Sequence, residues 1–445
     1  MNFVRVIKIL ASVLALTASA AFAQTSWKGT TSTNWYDATN WTAGVPATNT
    51  DTIIGDVNFT GAFQPTTGGT ATANCRSLTL GGAIAATLNV KYTLTAYSNI
   101  VIAANGTLIH NTTKTLTVKG SWTNSGSYIA TNTSALVAFG GTTNQTINGT
   151  ARFAKLTINS GSATTLNTNV VVTNLLTVSG TLNPNESPTF TVTGVGKLTV
   201  SGTLQVKATT FPGNYPLTNT ITLNAGSTVE YAATNANQTI AGNLAYSTLR
   251  ISGTNTIKSL TNNLPGLNAA TASRGLLYLA SGTLDLGDFT ANRATTTNGG
   301  TLTIINGAKL RLTGTNNFPT NYTTYTINAA GTVEYAGTNQ LVVAKTYGNL
   351  TLTNTVGAGS KLFPATNFTI AGNLTAGAAS GATVSFTAGS NLTVSGSTLL
   401  AAGATFNGGT FTLTNSGNWT NNGTFTGNAS TVVMNGASTR FAGSG

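Results

Sequence analysis

Charge is scarce in this sequence: Asp, Glu, Lys and Arg together make 6% of it, against roughly a quarter in ordinary globular proteins. There is one cysteine, Cys75, and one histidine, His110. A single thiol excludes an intrachain disulfide framework and any zinc site built from several thiolates. In this setting Cys75 reads as a small buried apolar residue. His110 has no acid beside it in sequence, so a nucleophile triad has nothing to gather around. It reads as an ordinary coil residue. Eight acids remain: Asp37, Asp51, Asp56, Glu186, Glu230, Asp285, Asp288 and Glu334. Acid–base chemistry needs paired groups whose pKa values are driven apart. Only Asp285 and Asp288, in the run LDLGD, lie close together. They read as a solvated corner, with a weak cation site as the alternative. No phosphate loop, dinucleotide fingerprint or calcium β-roll pattern stands out. The expectation is a protein without catalysis, metal or cofactor.

Long apolar runs are also missing, apart from one at the N-terminus. Arg5 and Lys8 precede a stretch from Ile9 to Ala21 that ends in Ala21-Phe22-Ala23. This has the form of a secretory signal, residues 1–23, with cleavage before Gln24. Nothing after it is long enough to cross a bilayer as a helix. Its removal would lower the formal charge from +12 to +10 by taking Arg5 and Lys8. The remaining cations are dispersed, whereas nucleic-acid binders gather them on one face and interleave aromatics. A weakly basic surface of this kind suits acidic polysaccharide or lipid headgroups rather than nucleic acid.

What the chain has in quantity is Gly, Thr, Asn and Ser interleaved with Val, Ile and Leu. Disorder goes with high charge and few β-branched residues, so this composition points instead to a folded β protein. Self-similarity decides which kind. Residues 134–158 (SALVAFGGTTNQTINGTARFAKLTI) align without a gap on residues 227–251 (STVEYAATNANQTIAGNLAYSTLRI), and a third copy spans 332–352. GSWTNSGSY at Gly120 is echoed by GNWTNNGTF at Gly417. The copy that starts at Ser430 stops before its Leu-x-Ile strand, so the array is expected to run on past residue 445. Between the copies a shorter beat recurs, as at Leu156-Thr-Ile, Leu175-Leu-Thr-Val and Leu198-Thr-Val. Each beat is apolar–polar–apolar, which sends alternate side chains to opposite faces of a strand. Beats fall about twenty residues apart, the length of one solenoid coil. Corners are marked by Gly180, Gly202, Gly282 and the pair Gly299-Gly300, where glycine supplies positive φ.

These features predict an all-β fold, a parallel β-solenoid (β-helix) over residues 76–445, rather than a sandwich of longer, non-repeating strands. That region would hold roughly seventeen coils, and at ~4.8 Å per coil a rod of roughly 80 Å. Leu156 and Leu249 are expected in one interior row, with Thr157 and Arg250 outward. The Asn-Gln-Thr-Ile motifs are expected to stack as amide ladders.

Residues 24–75 differ, with Trp27, Trp35 and Trp41 inside twenty residues. A solenoid needs its first coil covered, and bulky indoles would form that N-terminal cap. The alternative is an aromatic platform on which sugar rings stack, making Trp27, Trp35 and Trp41 ligand-contacting residues. The opening W27-x-G-x(5)-W35-x(5)-W41-x-x-G-x-P-x(4)-D51, followed by Gly-Thr-Leu and Asn-Gln-Thr-Ile repeats, resembles large surface repeat proteins of Bacteroidetes-type bacteria. It is also similar to passenger regions of autotransporter adhesins. The resemblance implies an exported scaffold or adhesin on the bacterial surface, contacting polysaccharide or a neighbouring or host cell. Such families often carry a C-terminal sorting domain or membrane barrel, which residues 1–445 do not include. Two other readings stay open. A polysaccharide-binding or polysaccharide-degrading β-helix would want exposed aromatics at regular positions, and Trp122 and Trp419 recur. An ice-binding solenoid would want Thr-x-Thr at one register in consecutive coils, and the drifting coil lengths argue against it.

Overall fold

A computed structural model describes residues 22–69, 71–194, 196–216, 220–265, 275–294 and 299–444. The expected signal segment, residues 1–23, lies outside the described residues as far as residue 21. The described chain is nearly all β, with parallel strands stacked as a solenoid of about 17 turns. Most short strands alternate buried and half-exposed residues, as Thr115–Val118 does, with Leu116 and Val118 inward. Its partner is the strand one coil away, so a residue meets its counterpart about twenty positions on. Leu94, Leu116, Val137, Leu156, Leu176 and Leu198 stack in this way into one interior row, all fully buried. Each such side chain contributes on the order of 1.5–3 kcal/mol.

Three faces succeed one another in cyclic order. The first carries a 14-stranded sheet from Ala23–Ser26 to Thr324–Ile327, and its place is later taken by a four-stranded sheet that starts at Phe368–Ile370. The second carries a four-stranded sheet ending at Ser127–Ile129, and later a ten-stranded sheet from Gln238–Thr239 to Phe441–Gly443. The third carries a nine-stranded sheet from Ala73–Cys75 to Ile221–Leu223, and later a five-stranded sheet from Asn339–Leu341 to Thr424–Thr426. Coils near both ends therefore have strands on three faces, and coils in the middle have ladders on two.

This arrangement corrects the expected placement of the repeats. The copies begin on Leu136–Phe139, Thr228–Tyr231 and Thr332–Tyr335, which lie on the third, first and second faces respectively. From one copy to the next the chain makes four whole coils and then advances by one face. Leu156 and Leu249 are both interior, and Thr157 and Arg250 both face outward. They stand in different rows, because Leu249 stacks on Val229 and Leu277 of the first face.

The corner glycines also divide. Gly282 and Gly300 adopt φ of 69° and 71°. Gly180 and Gly202 are not among the positive-φ glycines. A Cβ on Gly180 would sit 2.2 Å from the Ser162 carbonyl oxygen, and one on Gly202 would sit 2.1 Å from that of Gly180. Glycine is required there by the closeness of successive coils, not by dihedral freedom.

At the N-terminus Trp27 and Trp41 pack edge to face with centroids 4.8 Å apart, as do Trp35 and Trp41 at 4.9 Å. Trp27 Nε1 donates to the Phe63 carbonyl and Trp41 Nε1 to that of Trp35, both at 2.7 Å. Thr50–Ile54 and Ala73–Cys75, both inside the head, already belong to the first-face and third-face ladders.

Candidate functional site

The groups singled out from sequence are spoken for by the fold. Trp27, Trp35 and Trp41 are 0%, 0% and 2% exposed. A sugar needs a free ring face to stack on, and these three rings present none. Trp122 and Trp419 are buried as well. His110 is buried, with Nδ1 2.9 Å from the Tyr128 hydroxyl and Nε2 2.8 Å from the Lys114 carbonyl. Burial holds its pKa below the usual histidine value. Burial also pushes the Cys75 thiol up to about 12, helped by the Asp51 charge, so it is no nucleophile at neutral pH.

The acids are mostly paired. Asp285 accepts from Arg311 Nη1 at 3.2 Å and from the Gly287 N–H at 2.9 Å. Asp288, in contrast, is exposed; the structure gives the two aspartates no shared partner. Glu230 accepts from Arg250 and Gln205, and Glu334 from Lys309, each at 2.9 Å. Asp51 pairs with Arg76 and Glu186 with Lys207. Among the described residues no group of three or more His, Cys, Asp or Glu is placed to hold a metal ion.

The Asn-Gln-Thr-Ile motif does something other than stack amides. Gln145 is fully buried and donates from Nε2 to the carbonyls of Val118 and Gly120 in the coil before, while its Oε1 accepts the Gly141 N–H. Gln238 repeats this with Val206, Ala208 and Ala233. Gln340 does so with Leu312, Gly314 and Gly337. The glutamine is a clamp that closes a corner against the coil beneath it. An amide ladder does exist elsewhere, where Asn185 donates to Asn167 and Asn167 to Asn148. Other asparagines accept a corner N–H from the next coil, as Asn349 does from Asn373 and Asn373 from Ser397. The recurrence of Gln in three copies was the available signal, and only the third dimension shows which groups it meets.

What faces solvent is organised in rows. On the third face Thr95, Thr117, Thr157, Thr177, Thr199 and Thr222 stand in one outward register, broken only by Ala138. Variation in coil length is taken up at the corners, so the strands keep their register. Beside this row runs a mixed one, with Thr115, Leu136, Lys155, Leu175 and Lys197. On the first face Arg250 lies over the Tyr278 ring, 4.9 Å from its centroid. They line a shallow groove of about 380 Å³ with Thr228, Thr248, Thr301 and Thr303. Comparison with protein families, curated proteins and solved structures returns no match for this chain.

Proposed function

We propose that this protein is an extended surface scaffold or adhesin that is exported, makes many weak contacts along its length and catalyses nothing. The observation that carries the reading is the outward threonine row of the third face, held in register by the coils beneath it. Identical hydroxyls repeated at roughly 4.8 Å along a rod give a polymer many equivalent footholds, and such sites act together through avidity. The carboxylates support the absence of catalysis, since Glu230, Glu334 and Asp285 serve as ion-pair partners between coils. Export through the 1–23 segment and kinship with Bacteroidetes-type surface repeat proteins belong to the same proposal. Its partner is extracellular or cell-surface polysaccharide.

A second reading, a discrete sugar site in the groove at Arg250 and Tyr278, is favoured by the tyrosine and the ring of threonines there. The ice-binding reading gains the single threonine row but lacks its neighbour, where Leu136, Lys155 and Leu175 interrupt the hydroxyls. The test is to display the full chain on beads and measure retention on bacterial cells and a polysaccharide panel, while assaying the same polysaccharides for cleavage. Retention without cleavage is expected. Oligosaccharide release that disappears in Asp285→Ala/Asp288→Ala would overturn the non-enzyme reading, and absence of retention on every surface would overturn the adhesive one.

A further inference from the structure

Between residues 77 and 185 the sequence contains no Asp or Glu, yet it contains Lys91, Lys114, Lys119, Arg152 and Lys155. Further along, four outer cations are matched by acids: Lys207 by Glu186, Arg250 by Glu230, Lys309 by Glu334 and Arg311 by Asp285. The fold gathers the unmatched ones. Lys155 and Lys197 stand in one outward row of the third face, two strands apart, or about 10 Å. Arg152 is exposed on the same strand as Lys155. Lys114 and Lys119 bracket the strand Thr115–Val118. No carboxylate stands on this face among the described residues of the nine-stranded sheet.

We propose that the outward side of the third face, from Lys114 to Thr199, is a binding strip for an acidic polysaccharide laid along the rod. The inference rests on the reading of the protein as a multivalent polysaccharide-contacting scaffold and names the class of polysaccharide. Cations without an acidic partner supply attraction for carboxylate or sulfate groups. The threonine row beside them supplies hydroxyls that both donate and accept, which matches a polyhydroxylated chain. Single-stranded nucleic acid fits less well, because it needs free aromatic faces for its bases. The two tyrosines at the edges of the face are already covered: Lys114 Nζ lies 4.9 Å from the Tyr92 centroid and Lys119 Nζ 4.0 Å from that of Tyr97.

The experiment uses the full chain on beads, with polygalacturonate, neutral dextran and phosphatidylglycerol vesicles as probes. The variant is Lys119→Glu/Lys155→Glu/Lys197→Glu, with Arg440→Glu as a charge-reversed control away from the face. Lys155→Gln/Lys197→Gln serves if the triple variant does not fold, as judged by its thermal melt. Retention on polygalacturonate should fall at least tenfold in the variant, stay unchanged in the control, and weaken steeply with added salt. Retention on dextran that equals polygalacturonate and ignores charge reversal would sink the acidic strip while leaving the scaffold reading intact. Tighter binding to vesicles than to polygalacturonate would replace it with a membrane surface. Failure to retain any polysaccharide would sink both readings.

Discussion

The first repeat copy and the two later ones close the same corner with different chemistry. In all three, the residue whose N–H is held by the clamping glutamine also offers a carbonyl to the coil above. In the first copy Ser162 Oγ donates to the Gly141 carbonyl at 2.7 Å. In the second Lys258 Nζ donates to the Ala233 carbonyl at 2.7 Å, beside a longer bond from Thr256 Oγ1 at 3.2 Å, and in the third Lys361 Nζ donates to that of Gly337. Both lysines are buried, in register with Gln238 and Gln340. In the first copy that register position holds Thr164, whose hydroxyl has no partner. The corner therefore demands a donor and not a charge. Where an ammonium supplies it, the fold carries a desolvation cost that the serine version avoids.

Removing the shared part should have the largest effect. Gln145→Ala, Gln238→Ala and Gln340→Ala each leave one carbonyl and one N–H without a partner and take a second bond from a carbonyl that keeps its backbone donor, at roughly 2–3 kcal/mol. The three losses should agree within about 1 kcal/mol. Faster hydrogen exchange at the Gly141, Ala233 and Gly337 amides would report each one locally, and a loss at only one copy would break the equivalence of the corners.

The lysines should separate the copies by pH. Burial holds Lys258 and Lys361 at about 8, below the ordinary 10.5. Below pH 8 both folded and unfolded chains carry the proton and the full cost applies. Between 8 and 10.5 the unfolded chain binds more protons, so stability rises with pH, on the order of 1–3 kcal/mol per lysine. Tyr231 and Tyr335, pushed by burial to about 12, act in the opposite sense above pH 10, where the unfolded phenols ionise first. Thermal midpoints should therefore peak near pH 10. Lys258→Met/Lys361→Met should flatten the rise without touching the fall, and an unchanged rise would refute the buried-ammonium account.

Ser162→Ala should cost about 1 kcal/mol with no pH dependence, since it removes one neutral donor. Comparable in size, Glu230→Gln should lower thermal stability by about 1 kcal/mol, because Arg250 is 40% exposed along the side chain while Gln205 and Ser252 also donate to the buried carboxylate.

The repeat alignment made the solenoid legible, because apolar alternation and a twenty-residue beat leave few other ways to bury Leu156 and Leu176. It did not reveal on which face each copy lands. That depends on a count of whole coils between copies, and corner lengths vary with no local mark. The same drift hid the threonine row, since Thr117 and Thr157 are separated by one coil whose outward residue is Ala138. Trp27, Trp35 and Trp41 stood out by composition, but burial is decided by what packs with them, such as the Phe59 ring and the Phe63 carbonyl. Lys258 and Lys361 looked like ordinary surface lysines, because an inward lysine obeys the same alternation as a leucine.

The one-face advance between copies turns the repeat into a screw thread. The ion-paired glutamate of the second copy, Glu230, points away from the first face, and its counterpart Glu334 points away from the second. A motif duplicated in step with the coil would line up along a single edge and brace the rod on one side only. Out of step, duplication spreads the same motif around the axis. The ion pairs that tie coil to coil are thereby shared among the faces, and no single edge of the rod carries all of them.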